Sequence, residues 1–162
     1  MTQYWLFKSE PDVYSIDQLK EDTKKYGGTY WEGVRNYQAR NFMRQCKTGD
    51  LVLYYHSNCK PPGIVGIAKV VKEAYPDPVQ FDEKNTYYDP KSSPDNPRWS
   101  VVDLAFVKKF KQKISLDELR SVPQLADMKV VRKGNRLSIT PVTKKEFEVI
   151  TSMPHVSAAV LS

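Results

Sequence analysis

The sequence predicts an α+β fold in which short helices flank a mostly antiparallel, barrel-like sheet. First, strand-like segments follow one another through short helices, without the regular strand–helix–strand alternation of a parallel sheet. Second, the 162 residues, of which 40% are hydrophobic, fit one domain with one substantial core. Third, the chain contains no internal repeat. We expect a single domain over residues 1–153 and a C-terminal tail over residues 154–162.

The chain is predicted to open on a strand and a short helix. Residues 4–9 (YWLFKS) alternate between two faces with the period of a strand, and Pro11 ends that segment. In the segment SIDQLKED, Ser15 stands three residues before Gln18, which is the pattern of a capping box. A helix is therefore expected to begin just after Ser15.

A second helix is predicted from Asn36. Its apolar residues recur at positions i, i+3, i+4 and i+7, which on a helix gathers them into one buried stripe: Ala39, Phe42, Met43 and Cys46. Its polar side carries Tyr37, Arg40, Asn41 and Arg44. Gly49 stands where the residue after a helix C-terminus is expected.

Two strands and a long loop follow. The segments DLVLYYHS and GIVGIAKVVKE are rich in β-branched and aromatic residues, which favours strands, and NCKPP is expected to turn the chain between them. Residues 74–98 hold five of the eleven prolines and show almost no periodic pattern. Loops of this length inside a compact domain are usually functional or mobile.

The last third alternates strands and helices. WSVVDLAFVKKF and RLSITPV are typical of strands, the second ended by Pro141. SLDELR and TKKEF each carry a capping box, formed by Ser115 with Glu118 and by Thr143 with Glu146. One short helix is therefore predicted to begin just after Ser115, and another just after Thr143.

Composition bounds the classes of function. The formal charge of +6 fits a polyanionic partner or simply a solvated basic surface. The apolar run at the N-terminus is too short for a signal peptide, and no segment is long and apolar enough to span a membrane. We therefore expect a soluble, intracellular protein without a membrane partner. Cys46 and Cys59 form no CxxC pair and are expected to be reduced thiols.

Catalytic and cofactor motifs are not found in the sequence. Neither a P-loop nor a GxGxxG turn is present, and the two histidines are far apart, so we predict no cofactor and no metal. His56 and Ser57 would point to opposite faces of a strand, which favours a hydrogen-bonded strand-end His56 over a nucleophile–base pair. Lys8 and Glu10 would share a side and form either an acid/base pair or an ordinary ion pair.

The segment YWEGVRNYQARN, residues 30–41, concentrates flat rings, amides and guanidinium groups around Gly33. Trp, Tyr and Arg supply stacking surfaces, and Asn and Gln supply edges that donate and accept hydrogen bonds, which suits recognition of a planar base lifted from its strand. The alternative is structural. In that case Trp31 would belong to the core, Gly33 would form a turn, and the polar side chains would lie on the solvent-exposed face of a helix.

Several strings occur together in the order and spacing of one family. They are WLFKSEP, WEGVRNYQARNFM, GDLVLYYHSN, GIVGIAKV, DPKSSPDNPRW and NRLSITPVT. The chain resembles the EVE domain over residues 3 to about 153. The resemblance implies a PUA-like pseudo-barrel, related to the PUA, ASCH and YTH families. It also implies a non-catalytic nucleic-acid-binding domain that reads a modified base, notably a modified cytosine such as 5-methylcytosine in DNA, with a nucleic acid as its partner.

The resemblance also suggests which residues form the base pocket. The matched candidates are Lys8, Ser9, Glu10, Trp31, Val34, Asn36, Gln38, His56, Ser57, Asn58 and Trp99. Trp31 is expected to wall the pocket and Val34 to contact an added alkyl group, since a methyl group is recognised through dispersion and exclusion of water. Glu10 would accept from a cytosine amino group or orient a neighbouring cation. Trp99 is also well placed for the core.

Three arginines are the predicted phosphate contacts: Arg35, Arg40 and Arg44. Lys8 is a further candidate, and a merely solvated face is equally compatible with Arg40 and Arg44. Two other functions remain open. One is an ASCH-like hydrolase acting on a modified nucleoside through Lys8 and Glu10, and the other is a protein-interaction module using the long loop. Localisation would be cytoplasmic in a bacterium and nuclear in a eukaryote.

Overall fold

The computed structural model describes residues 2–156. Their strands form one six-stranded sheet in the order β2-β5-β4-β3-β1-β6. The strands are β1 (Tyr4–Ser9), β2 (Thr29–Tyr30), β3 (Leu51–His56), β4 (Gly63–Pro76), β5 (Ser100–Ser115) and β6 (Ile139–Val142). The α-helices are α1 (Ile16–Tyr26), α2 (Tyr37–Gln45), α3 (Leu116–Arg120) and α4 (Lys144–Thr151). The α+β prediction is confirmed.

The sheet is antiparallel at every junction except one. β1 and β3 run parallel, in a register that pairs Tyr4 with Leu51 and Ser9 with His56. The chain between them passes through α1, β2 and α2, which is long enough for the crossover that parallel strands require. Because both strands end at the same edge of the sheet, the residues that follow Ser9 and His56 meet there.

Two apolar clusters lie on the two faces of the sheet. Along β1 the side chains alternate, so Trp5 and Phe7 join one cluster while Leu6 joins the other. The first cluster also takes the buried side of α1 and α2, and the second takes α3 and α4. β4 and β5 bend between the faces, since their long ladder contains four register shifts of the β-bulge kind.

The helix starts follow the predicted capping residues. Ser15 Oγ accepts from the Gln18 N–H, but the Gln18 side chain turns to Asp22, so only half of the first capping box forms. The boxes that begin α3 and α4 are complete. α2 begins after Asn36 as predicted and buries Ala39, Met43 and Cys46, while Phe42 is half-buried.

Two predicted ends are wrong. α2 stops at Gln45, and Gly49 instead occupies a tight turn with φ of 94° that leads into β3. Pro141 does not end its strand but lies inside β6, opposite Trp5. β6 is an edge strand, where a proline that lacks an N–H removes no bond from a central ladder.

Other features escaped the sequence prediction. β2 has only two residues, too few for a periodic pattern, and the loop after β4 contains a 3-10 turn at Pro78–Phe81. The start of the predicted tail packs on the domain: residues 154–156 are helical and Val156 is buried in the second cluster. Residues 157–162 of the predicted tail lie outside the described residues. Among the described helices, none is long and apolar enough to cross a membrane.

Candidate nucleic-acid interface

A cavity of about 860 Å³ opens at the edge of the sheet where β1 and β3 end side by side. Ligand sites in proteins commonly enclose about 300–1,000 Å³, so the volume suits a small planar ligand or an extruded nucleotide. The cavity lining comes from the ends of β1 and β3, the segments before and after α1, the loop before β5 and the segment before β6. Its residues are Lys8, Ser9, Glu10, Val13, Tyr14, Thr29, Tyr30, Trp31, Glu32, Gly33, Val34, Arg35, Ser57, Asn58, Tyr87, Asn135, Arg136 and Ser138.

The strand ends supply a lysine and two serines. The Ser57 N–H donates to the Ser9 carbonyl at 3.0 Å, which continues the parallel ladder one residue past β3 and holds Ser57 beside Ser9. The Lys8 ammonium lies 5.7 Å from the centre of the Tyr55 ring, and burial lowers the pKa of Lys8. Lys8 forms no salt bridge with an acidic side chain of residues 2–156, and a half-buried cation of this kind favours binding of an anionic or electron-rich group.

Glu10 and Asn58 face each other across the same edge. The Asn58 side-chain amide donates to Glu10 Oε1, so one carboxylate oxygen is engaged and the other is left for a further donor. Asn58 holds this position with φ of 52°, in the left-handed region that asparagine tolerates better than most residues. The pair therefore presents a carboxylate acceptor of fixed orientation to the cavity.

Trp31 and Val34 form the apolar floor of the cavity. Trp31 is only 7% exposed, and three aromatic rings surround it at 5.5–6.1 Å between centroids: Phe7, Tyr14 and Tyr54. It is thus a core residue and a cavity residue at once. Of the neighbouring rings in the lining, Tyr30 is 42% exposed and offers a more accessible stacking surface.

Gly33 is required by its backbone and by its neighbour. Its φ is 84°, a conformation that L side chains rarely adopt. A Cβ at this position would lie 2.6 Å from Cζ of Tyr87, a separation that real Cβ atoms do not show. The glycine therefore lets Tyr87, from the loop before β5, rest directly on the chain beside Trp31 and close one wall of the cavity.

Arg35 lines the cavity, but its donors are engaged within the protein. Its Nη1 donates to Asp77 Oδ2 at 3.0 Å, and its Nε and Nη2 donate to the Tyr87 carbonyl at 3.1 and 2.7 Å. Asp77 is fully buried. Because the guanidinium neutralises a buried carboxylate and fixes the loop, the structure corrects the prediction that Arg35 is a phosphate contact.

Arg40 and Arg44 lie outside the cavity lining. Both guanidinium groups donate to the Arg98 carbonyl, at 3.0 and 3.4 Å, and Arg44 Nε also donates to Ser100 Oγ at 3.0 Å. They tie α2 to the start of β5. Unlike Arg35, neither forms a salt bridge with an acidic side chain of residues 2–156, so their role as phosphate contacts stays a prediction.

Four of the predicted base-pocket residues also lie elsewhere. Asn36 caps α2, its Oδ1 accepting from the Ala39 N–H at 3.0 Å, and Gln38 is exposed on that helix. His56 is buried, and its Nε2 accepts from the Ile16 N–H at 3.2 Å. Trp99 is buried, and its indole N–H donates to Asp89. Asn36, His56 and Trp99 thus have structural partners, and none of the four belongs to the cavity lining.

The remaining seven predicted base-pocket residues come together around one opening: Lys8, Ser9, Glu10, Trp31, Val34, Ser57 and Asn58. Sequence reasoning missed Tyr30 and Glu32, although both stand in the segment that it singled out. Burial raises the pKa of Glu32, and the nearby Asp77 carboxylate raises it further. It also missed Asn135 and Arg136, which lie 125 or more residues from Glu10; the string NRLSITPVT, already matched to the family, was the signal available for them.

The site offers no preassembled catalytic pair. Within residues 2–156, no salt bridge joins Lys8 to Glu10, since the lysine lies over Tyr55 and the carboxylate takes the Asn58 amide. No group of three or more histidine, cysteine or acidic side chains in that range is arranged to hold a metal ion. The arrangement provides an apolar floor, polar edges and a cation, which suits binding.

The comparisons with known proteins agree on one family. The sequence model described as the EVE domain matches residues 3–153. Human thymocyte nuclear protein 1 is 46% identical over 170 residues, covering 94% of this chain and 74% of that protein. The alignments therefore span both the fold and the cavity.

Two solved structures extend the comparison. The human THYN1 protein in complex with DNA containing 5-methylcytosine superposes with a TM-score of 0.87 at 47% identity, covering 93% of this chain and 96% of that chain. The YTH domain of Zygosaccharomyces rouxii MRB1, solved with N6-methyladenosine RNA, superposes with a TM-score of 0.50 at 8% identity, covering 92% and 84%. The second likeness concerns the fold alone and places the chain among PUA-like folds, as predicted.

Proposed function

Because the chain belongs to the EVE domain family, we propose that it binds nucleic acid and reads a modified cytosine, 5-methylcytosine in DNA, without catalysing a reaction. One observation carries the proposal. An apolar floor and a polar, carboxylate-bearing edge meet in a single cavity, in a chain 47% identical to the human protein solved with 5-methylcytosine DNA. A base inside a duplex must leave the stack to enter such a cavity.

The apolar floor suits the methyl group. Val34 is buried, lines the cavity together with Trp31, and has a side chain made only of hydrocarbon. Burying one methyl group is worth about 0.8 kcal/mol, which corresponds to a preference of about fourfold for the methylated base. The partly exposed ring of Tyr30 supplies stacking that depends little on the identity of the base.

The polar edge suits cytosine. The exocyclic amino group of cytosine is a donor, and a glutamate carboxylate is one of its ordinary partners. Glu10 keeps one oxygen for that donor after accepting from Asn58. The hydroxyls of Ser9 and Ser57 both donate and accept, so they complete the edge recognition toward the ring nitrogen and carbonyl of the base.

The proposal also covers where the protein acts. In a eukaryotic cell a reader of methylated DNA works in the nucleus, which agrees with the name of the relatives, thymocyte nuclear protein 1. In a bacterial cell the same ligand lies in the cytoplasm.

The test is a titration with oligonucleotides that differ in one methyl group. Single-stranded and duplex DNA and RNA of one sequence, with cytosine or 5-methylcytosine at one position, are compared by fluorescence anisotropy. We expect tighter binding of the methylated DNA by about fourfold or more. Equal affinity for all of these oligonucleotides would overturn the proposal.

A matched pair of variants locates the methyl contact. Val34→Ala removes two methyl groups from the floor and is expected to lower the preference for 5-methylcytosine toward one. Val107→Ala makes the same change at an exposed position on β5 outside the cavity and should leave the preference intact. Equal preferences in the two variants would place the methyl group away from Val34.

A further inference from the structure

The segment RKGNR, residues 132–136, carries three cations in five residues at the mouth of the cavity. We call it the basic loop. It follows the 3-10 turn Lys129–Val131 and precedes β6, and it turns at Gly134, whose φ of 80° lies in the left-handed region. Asn135 and Arg136 belong to the cavity lining.

Hydrogen bonds hold the basic loop against the base-binding edge. Asn135 Oδ1 accepts from the Leu137 N–H at 3.1 Å, which fixes the loop on its β6 side. The Ser138 carbonyl accepts from the Lys8 N–H at 2.8 Å, which joins the segment after the loop to β1. These bonds set the position of residues 135–138, so Arg136 stands beside Lys8 and the polar edge.

The cations of the basic loop form at most one weak salt bridge with the acidic side chains of residues 2–156. Arg132 approaches Asp127 at 3.7 Å, but both side chains are mostly exposed and such a pair contributes little. Lys133 and Arg136 are exposed, and neither forms a salt bridge with any acidic side chain of residues 2–156. Lys133 and Arg136 differ in this respect from Arg35, whose guanidinium forms a salt bridge with Asp77.

We propose that the basic loop binds the nucleic-acid phosphates next to the extruded base, with Lys133 and Arg136 as the contacts. Phosphate contacts position a protein on its target without reading its sequence, while contacts in the cavity supply specificity. The inference rests on the proposed function, since the partner of the loop is the backbone that leads into the cavity. It gives residues 132–136 the role that the sequence suggested for Arg35, beside the candidates Arg40 and Arg44 on α2.

The test is a double variant, Lys133→Ala with Arg136→Ala, measured over a series of salt concentrations. Two lost phosphate contacts are expected to lower the slope of log affinity against log salt by about 1.4–1.8. Binding of methylated and unmethylated DNA should weaken equally at low salt, by about tenfold or more, and the preference between them should not change. A charge-conserving Arg136→Lys variant should keep the parental slope.

The matched control is Lys144→Ala with Lys145→Ala. These two exposed lysines begin α4, which packs on the second apolar cluster and contributes nothing to the cavity lining. The control removes the same charge from the protein and should leave the salt slope unchanged. A loss of slope equal to that of the loop variant would mean that general charge, and not the loop, drives binding.

The two proposals fail in different ways. If the loop variant keeps the parental affinity and salt slope while the parent still prefers methylated DNA, the basic-loop inference alone is overturned. If the parent shows no preference for methylated DNA, the proposed function is overturned whatever the loop variant does. Urea unfolding of each variant checks the fold. Where the double variant is poorly folded, Arg136→Ala alone tests the loop, since one lost phosphate contact should lower the slope by about 0.7–0.9.

Discussion

Two regions of the molecule are both rich in polar side chains but differ in what those side chains bind. The strand-end region, residues 8–10 with 57–58, leaves a lysine, two serines and one carboxylate oxygen facing the cavity. The α2 region, residues 35–44, is richer in arginine and amide, yet its groups donate to Asp77, Tyr87 and the Arg98 carbonyl. Availability for a ligand is thus decided by intramolecular partners and not by residue type.

The difference follows from what each region has to stabilise. The α2 region must hold a long loop and the buried carboxylate of Asp77, and arginine forks suit that task because they bind several acceptors in one plane. The strand ends are already held by backbone pairing, such as the Ser57 N–H with the Ser9 carbonyl. Apart from the contacts of Ser9 and Asn58 with Glu10, their side chains are therefore available for recognition.

The largest expected effect tests the structural side of this comparison. Arg35→Ala would leave the fully buried Asp77 without its cation, and breaking such a pair costs about 3–5 kcal/mol. We expect the free energy of unfolding, measured by urea denaturation, to fall by about that amount. Arg44→Ala is the control, since it loses only hydrogen bonds to Ser100 and Arg98, each worth about 1 kcal/mol.

The opposite result would contradict this structural role of Arg35. If Arg35→Ala kept the parental stability but bound DNA more weakly and with less salt dependence, Arg35 would be a phosphate contact.

The next effect tests the recognition side. Glu10→Gln keeps an acceptor for Asn58 but loses the charge, and the new amide also presents donors. Thymine carries a carbonyl where cytosine carries its amino group, so we expect the preference for cytosine over thymine in the target to shrink by about 1–3 kcal/mol. Stability should change by less than about 0.5 kcal/mol because the site is at the surface.

Competition between cytosine and thymine oligonucleotides measures this preference. A Glu10→Gln protein that still prefers cytosine as strongly as the parent would show that Glu10 only orients its neighbours. Ser57→Ala, on the same edge, would then be the next variant to measure.

The smallest effect concerns His56, a predicted base-pocket residue that instead accepts a hydrogen bond from the Ile16 N–H. Burial, reinforced by the charge of Lys113, lowers the pKa of His56, so the folded protein keeps it neutral at pH values where the unfolded chain binds a proton. The free energy of unfolding should therefore be at its full value above the ordinary histidine pKa and fall as the pH drops below it. His56→Gln should remove this pH-dependent part.

Urea denaturation at about pH 7.5 and about pH 5.5 measures the difference. His155→Gln is the matched control, because His155 is the other histidine of the chain. A pH dependence that persists in His56→Gln and vanishes in His155→Gln would assign the effect to His155.

Local signals in the sequence were sufficient for most elements of the fold. The period of residues 4–9 and the caps at Ser115 and Thr143 specify structure within a few residues, and the structure agrees with them. The position of Pro141 inside a strand could not be predicted, because it depends on β6 being at the edge of the sheet. That is a property of the whole topology.

The site was predictable in part for the same reason. The family motifs identified seven residues that line the cavity. Several of them lie together because β1 and β3 pair in register and end side by side. The partners of Arg35 lie 42 and 52 positions away, and no local pattern shows that its guanidinium is already bound. Arg136 reaches the cavity only because β6 pairs with β1.

The contact of Tyr87 with Gly33 has a consequence for protein engineering. The cavity wall depends on one ring and one carbonyl of the loop, whereas the turn at Ser93 and Asn96 is exposed and contributes nothing to the lining. The loop is thus divided into an anchored part and a permissive tip. A fluorophore or a tag attached at Ser93 would therefore leave the residues of the cavity lining unchanged.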